Sequence, residues 1–493
     1  MTTTLAVAPL IWLSGNRILA HNIFLVLALA LNGWAGFHLL RRVRVGRLAA
    51  VLGGAIIELL PMVHHELGVL QLVPLCGILW TIHSLHQLGV RPCAVRGARL
   101  GAAFAFTYLT CAYYGLFLSV LLILGAGWLL GRRVMAKRTW TAISVAGAVS
   151  FVLLFPVVVA QLRVARQNEL VRSRELVDRL SADAADYWTV PLPRWLEPVI
   201  PQHRHETHFP LCPGIVTSGL ALCGAGIGLI RPRYRSWTAF CLTVLLGALL
   251  LSLGPEFQLA NWSPYATLMD WYPGFAQVRS AFRFAIFVQL ITALLAGLGL
   301  HALGQAGQNI VGSLSVRGSS PGISRRIRVG AMWVCTSTLA ALSLLEIWPS
   351  RPVIYSPPPV STQQRWIDWI QANTSRDSVI ACLPFPEGTN TASYEQTALW
   401  MYWGTFHQRK LVNGYSGFLP QSYLTTKQEM SRFPDAASIH RLQQQGAAYC
   451  VVSRSFLERA DIEGDPVARR YLEWLDGDAA AGVDIYRLDK TDD

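Results

Sequence analysis

Arg279 and Arg283 stand four residues apart at the start of an apolar run, just after Trp271-Tyr272-Pro273-Gly274-Phe275. On a helix that spacing puts both guanidiniums on one face. Their planar forks match the oxygens of a phosphate, and the positive end of a helix adds to them. Arginine beside Trp and Tyr also anchors helices at a membrane interface, which is the other reading of the same residues. A carboxylate, Glu58, lies inside the apolar stretch Ile56-Ile57-Glu58-Leu59-Leu60-Pro61. In hydrocarbon an ionised Glu costs about 2.5–3.5 kcal/mol or more unless it faces protein or a wet cavity. Glu58 therefore reads either as part of a polar path or as a carboxyl hydrogen-bonded within a helix bundle.

Three further groups could bind or react. His64, His65 and Glu66 follow Glu58 directly and could hold a phosphate or a metal, or simply form a wet turn. His203-Arg204-His205-Glu206-Thr207-His208 brings three imidazoles and a carboxylate together. It lacks the HExxH spacing that sets two His on one helical face, so a divalent metal stays open without being indicated. The stretch His407 to Pro420 is dense in loop-forming residues, with Gly414 and Gly417 supplying turns. His407 and Tyr415 there could face a sugar or merely shape the turn. Cys382 and Cys450 fall on two predicted strands, where a disulfide is chemically open outside the cytoplasm. The other cysteines follow no CxxC spacing, and most of them sit in apolar runs as small hydrophobes.

The elements that must position these residues are membrane spans. Of 493 residues, 52% are hydrophobic and 14% charged, against roughly 25% charged in an ordinary soluble domain. That excludes a cytosolic enzyme and a disordered scaffold. Apolar stretches near 21–40, 47–63, 68–85, 98–114, 116–131, 140–160, 211–230, 236–254, 281–304 and 329–348 predict about ten crossings of a hydrocarbon layer roughly 30 Å thick. The segment Thr3 to Leu13 is too short to cross and contains Pro9, so it predicts an interfacial or re-entrant helix.

Every second connection is basic. Arg41, Arg42, Arg44 and Arg47; Arg91, Arg96 and Arg99; Arg132, Arg133, Lys137 and Arg138; Arg231, Arg233 and Arg235; and Arg317, Arg325, Arg326 and Arg328 come without a single acid. The alternate connections are balanced, the 161–210 loop holding seven Arg against seven Asp or Glu. The positive-inside rule places the five basic loops in the cytoplasm and both termini outside, in an inner-membrane protein. These 18 charges exceed the net charge of +13, so the basicity records topology and excludes a nucleic-acid groove.

The expected architecture is thus an all-α polytopic bundle over residues 1–348, with outer loops at 161–210 and 255–280, followed by an extracytoplasmic α/β domain over 349–493. The tail predicts strands at Ser378 to Phe385, Ala447 to Ser453 and Val483 to Leu488. Helical patterns at 361–372, 391–403, 435–445 and 465–475 alternate with them.

Read together, these features resemble the GT-C superfamily of polytopic glycosyltransferases, and more closely a group of bacterial GT-C-like membrane proteins. The matching stretches are Leu13-Ser14-Gly15-Asn16-Arg17 to Asn22, Pro61 to Gln71, Tyr113-Tyr114-Gly115, Glu206 to Gly214, Trp271 to Arg279 with Phe282-Arg283-Phe284, and His407 to Pro420. They cover almost the whole chain. The resemblance implies a lipid-linked donor, a polyprenyl-phosphate sugar, used at the outer face. Arg279 and Arg283 would then hold its phosphate, with His65, His407 and Tyr415 as further substrate contacts. It also implies an acidic residue, usually Asp, in the first outer loop. The first Asp here is Asp178, preceded only by Glu58, Glu66, Glu169 and Glu175. Either a span and loop precede Met1 in the natural protein or the chain is a catalytically incomplete relative. Within the given residues Glu66 and Glu206 are the candidate bases. The competing expectation is a transporter or envelope scaffold with an outer ligand-binding domain and Glu58 on its route, although no internal symmetry of the kind transporters show is evident.

Overall fold

Asn16 starts the first long helix by accepting the amide protons of Ile18 and Leu19 at 3.0 Å each. That helix belongs to a computed structural model describing residues 2–167, 171–189, 209–315, 323–349, 358–388 and 392–488, without side-chain detail for 307–333 and Ala460. The chain divides into two compact units, Met1–Pro352 and Val353–Asp493.

The first unit is helical. Its elements are α1 (Thr2–Ser14), α2 (Arg17–Arg42), α3 (Arg47–Glu58), α4 (Pro61–His65), α5 (Cys76–Val90), α6 (Ala94–Thr110), α7 (Ala112–Leu130) and α8 (Lys137–Gln167). They continue with α9 (Arg174–Arg179), α10 (Ile215–Ile230), α11 (Pro232–Ser252), α12 (Pro264–Trp271), α13 (Ala285–Ser315) and α14 (Ile323–Glu346). Helix occupies a large part of each of the ten apolar stretches, but six segments among the described residues are long and apolar enough to cross a membrane. These are Arg17–Arg42, Arg47–His65, Ala112–Met135, Lys137–Gln167, Pro232–Ser252 and Ala281–Ala306. The chain is an integral, multi-pass membrane protein, and six of the ten expected spans meet this measure among the described residues. Three of the other four stretches fall short for local reasons. The stretch 68–85 is interrupted by a 3-10 turn at Leu70–Leu72 and by Pro74, so α5 starts only at Cys76 and has 15 residues. Helix α6 has 17 residues and α10 has 16.

Helix α13 is the axis of the bundle. Every residue from Ala281 to Leu300 is buried, as expected of a helix apolar on all sides. Its neighbours approach through glycines. A Cβ on Gly224 of α10 would collide with the Leu295 carbonyl, and one on Gly299 with the Leu220 carbonyl. Small residues let backbones come this close, which is how helices associate where lipid removes the hydrophobic drive.

The second unit is α/β. Helices α15 (Gln364–Asn373), α16 (Glu395–His407), α17 (Gln421–Met430), α18 (Ala436–Gln444), α19 (Arg459–Gly464) and α20 (Pro466–Tyr471) surround β1 (Val379–Leu383), β2 (Lys410–Leu411), β3 (Ala447–Ser453), β4 (Leu472–Asp478) and β5 (Val483–Leu488). The sheet order is β2-β1-β3-β5-β4. β1 is parallel to β2 and β3, whereas β5 is antiparallel to β3 and β4. Side chains alternate across the sheet. Ile380, Cys382, Val451 and Ile485 pack with Trp366 of α15 and Trp400 and Trp403 of α16. Ala381, Leu383, Cys450 and Val452 pack on the other face with Met430 of α17 and Ile439 and Leu442 of α18.

That alternation corrects the disulfide expectation. Cys450 pairs in register with Ala381, so Cys382 and Cys450 point into opposite cores, and both are free. The helical pattern at 465–475 is corrected too: α20 stops at Tyr471, and the chain continues as the edge strand β4.

Candidate functional site

The site is built on the stretch 58–76 and on the turn that opens α13. Buried amides hold the first of these in place. Asn32 of α2 donates to the Val73 carbonyl at 2.8 Å and accepts the amides of Leu75 at 2.6 Å and Cys76 at 3.0 Å. Gln289 of α13, fully buried, accepts the Met62 amide at 3.2 Å and donates to the Pro210 carbonyl at 3.1 Å. The Tyr114 hydroxyl donates to the Leu72 carbonyl at 2.9 Å. In an interior with few other partners, each such amide or hydroxyl fixes the backbone it satisfies.

These contacts set Glu66 opposite Arg283. A guanidinium nitrogen of Arg283 is 3.5 Å from Glu66 Oε2, and the two side chains are 8% and 12% exposed. Arg283 lies on the 3-10 turn Ala281–Phe284 that precedes α13. Its guanidinium sits 5.3 Å from the Tyr113 ring centre and 5.7 Å from that of Phe282. Phe282 stacks on Phe209 at 3.8 Å, and Phe284 stacks on Phe117 at 3.8 Å, so the turn is pinned on both sides. Arg283 Nε is buried and has no hydrogen-bond partner among the described residues.

Tyr113 links Arg283 to a second arginine, Arg172, from the 161–210 loop. The Arg172 amide donates to the Ala276 carbonyl at 3.0 Å, tying the segment before α9 to the turn after α12. Burial pushes the Arg172 guanidinium below its ordinary range, with Tyr113 opposing and the Arg279 charge adding to the shift. Arg283, Tyr113, Arg172 and Arg279 therefore form one electrostatic neighbourhood. Of these, Arg283 alone contacts the carboxylate of Glu66. Such a corner suits a phosphate, whose oxygens accept from several N–H donors at once.

The other sequence candidates are distributed more widely. Arg279 does not share a helical face with Arg283, because Ser280 is extended (φ −122°, ψ 87°) and the α-helix begins only at Ala285. His65 is exposed at the end of α4. Glu58 ends α3, half-buried, its carboxylate against Gly33 of α2 and its carbonyl 3.0 Å from His64 Nε2. Glu206 and the histidines at 203, 205 and 208 lie outside the described residues. Among the described residues no group of three His, Cys, Asp or Glu could hold a metal ion.

In the second unit His407 is fully buried at the end of α16, beside Trp366, with Nδ1 accepting the Arg409 amide at 3.1 Å. Burial, with the Arg409 charge adding to it, pushes its pKa down to about 4. It is a neutral core residue and faces no solvent. Tyr415 is 41% exposed and rests on Tyr394 with ring centres 5.0 Å apart. Arg172, Tyr113 and Gln289 escaped the sequence reading as site residues. Tyr113 stood in a quoted motif, Arg172 was one arginine among seven in its loop, and nothing in the pattern distinguished Gln289 within an apolar span.

No family model matches the chain, and no curated protein matches it. Solved structures do. Cryo-EM structures of the arabinofuranosyltransferase AftD from mycobacteria superpose with TM-scores of 0.55 and 0.56, at 14% and 16% identity. The chain shares the fold of this part of AftD. The superpositions cover 98–99% of this chain and 35–36% of the AftD chain, so the chain spans about a third of the length of the structures it matches.

Proposed function

We propose that this chain is a membrane glycosyltransferase-like protein that receives a polyprenyl-phosphate sugar at the outer face of the plasma membrane. Arg283, with Arg279 and Arg172, takes the donor phosphate. Glu66 is the counter-ion that orients Arg283 and, once the phosphate takes its place, the candidate base for an acceptor hydroxyl. Glu206 is the alternative base, and exposed Tyr415 a contact for a glycan acceptor. In this reading the chain crosses the membrane about ten times, its basic loops are cytoplasmic and the α/β domain is extracytoplasmic.

One observation carries the reading. A buried guanidinium with a carboxylate at 3.5 Å and an Nε unpartnered among the described residues is costly unless an anion completes it. The AftD fold supports the reaction class, and the alternation of basic loops supports the orientation. The test is binding of a polyprenyl phosphate to the full chain in nanodiscs, followed by sugar transfer. R283K and R279Q should each weaken binding about tenfold, the scale of one charge-assisted contact. Unchanged binding in both removes the phosphate site. Transfer abolished by E66Q assigns the base; transfer retained leaves Glu66 as counter-ion only.

A further inference from the structure

The end of the bundle opposite the Glu66–Arg283 pair carries a second, independent constellation. From Ala285 to His301 the axis of α13 runs about 24 Å at 1.5 Å per residue. There His301 Nδ1 accepts the Gly46 amide at 3.3 Å. Its Nε2 lies 3.4 Å from the Tyr234 hydroxyl, which also reaches the Arg44 carbonyl at 3.4 Å. Tyr234 is 3% exposed, so this junction of the α2–α3 turn, α11 and α13 is built into the fold.

Arginines are fixed around that junction. Arg41 donates to the Val45 carbonyl at 2.6 Å, next to Gly46. Arg231 donates to Gln305, one turn beyond His301. The Arg233 guanidinium lies 5.4 Å from the Tyr234 ring centre. Arg44 holds a left-handed backbone (φ 69°) that glycine would adopt at less cost. No Asp or Glu occurs in the sequence at 17–57, 207–255 or 271–345, the stretches that supply this end. Like charges held together without a carboxylate repel one another, and a polyanion relieves that repulsion. Basic pockets between helices at a membrane surface suit phospholipid headgroups.

We propose that Arg41, Arg231 and Arg233, gathered over the Tyr234–His301 pair, bind the phosphate-bearing headgroup of an acidic phospholipid. A headgroup seated there links the α2–α3 turn to the α10–α11 turn from outside the protein. A basic surface in general would attract acidic lipid without discriminating between loops; this site discriminates. The turn at 131–138 carries the same kind of charge in the exposed Arg132 and Lys137, and its Arg133 is held by the Gly89 carbonyl of α5 rather than by the Tyr234–His301 junction.

The test is the affinity of the purified full chain in neutral detergent for short-chain phosphatidylglycerol, with phosphatidylcholine as reference. R41Q/R233Q should lose about tenfold or more, on the scale of two basic contacts at a lipid surface. R132Q/K137Q, with the same charge removed, should change less than about twofold. Equal losses in the two double variants, or none in either, overturn the proposal. If R41Q/R233Q does not fold, R233Q alone should lose about threefold to fivefold, and an unchanged R233Q overturns it. Inorganic pyrophosphate separates lipid from soluble ligand. Displacement of the lipid by pyrophosphate at low micromolar concentration assigns the site to a free phosphate compound and overturns the lipid assignment.

Discussion

Arg283 stands 3.5 Å from Glu66, and the two side chains come from segments more than 200 residues apart in sequence. Neither is well solvated, so each is the main charge compensation of the other. Removing one partner of such a pair costs about 3–5 kcal/mol, because a buried charge is left behind. R283Q and E66Q should each lower the unfolding midpoint of the detergent-solubilised chain. The double variant should lose less than the sum of the two. Additive losses in this double-mutant cycle would show that the two groups do not interact.

Glu346 closes the last turn of α14 against the start of α10. Its carboxylate accepts the amides of Val216 at 3.0 Å and Thr217 at 2.9 Å, and the Thr217 hydroxyl at 3.0 Å. A negative charge at a helix N-terminus with these donors is worth about 1–3 kcal/mol when poorly solvated. E346Q should therefore lower thermal stability, and E346A more so. G214A should act in the same direction, since Gly214 has φ 98° and its missing Cβ would overlap the Glu346 carboxylate. Unfolding followed in detergent for all three checks the order.

The Glu346 cap illustrates what a linear pattern conceals. Hydropathy made most of the helices legible, because it reports a property of the local segment. The α/β tail was legible at β1 and β3, whose runs are apolar, and at β5, where Val483, Ile485, Tyr486 and Leu488 are buried. It failed at β4, an edge strand reading Leu472-Glu473-Trp474-Leu475, which shows helical spacing as readily as strand alternation. Within the site, Phe282-Arg283-Phe284 pointed to Arg283, but the partner of Arg283 could not be read. Ion pairs across 200 residues leave no local trace. The helical face assigned to Arg279 failed because Ser280 breaks the run before α13 begins.

His407 makes the acid stability of the second unit predictable. Its pKa is pushed from 6.5 down to about 4. Between those values the unfolded chain takes up a proton that the folded chain refuses. The contribution is therefore complete above pH ~6.5 and is lost as pH falls toward ~4, by about 3 kcal/mol at 1.36 kcal/mol per unit. The protection factors of the α16 amides in the full chain, taken against the intrinsic exchange rate at each pH, should be lower at pH 5 than at pH 7. In H407N, which has no titrating ring, the acid-dependent part should vanish. An equal pH response in H407N would place the titration elsewhere.

Cys382 and Cys450 give a covalent check on the sheet. Their side chains point to opposite faces of adjacent strands, so the chain denatured without reductant should alkylate at both. A peptide bridged between them would mean that the β1–β3 register is displaced by one residue, which moves every side chain of one strand to the other face.

The glycines of α10 test how the bundle is held together. Gly224 and Gly226 are two residues apart on the same helix, with equal intrinsic cost as glycine. A Cβ at Gly224 would meet the Leu295 carbonyl and the Gly299 amide nitrogen, whereas one at Gly226 meets nothing within 4 Å. Alanine at 226 replaces the poorest ordinary helix former with the best, a gain of up to about 1 kcal/mol. Alanine at 224 gains the same propensity but forces α10 away from α13, and overpacking of this kind costs about 1–3 kcal/mol or more. G224A should thus lower the unfolding midpoint in detergent while G226A leaves it unchanged or raises it. Because the propensity term cancels between the two, the difference measures backbone approach alone. Equal midpoints would mean that α10 does not meet the axial helix at this face, and the scaffold that presents Arg283 would have to be redrawn.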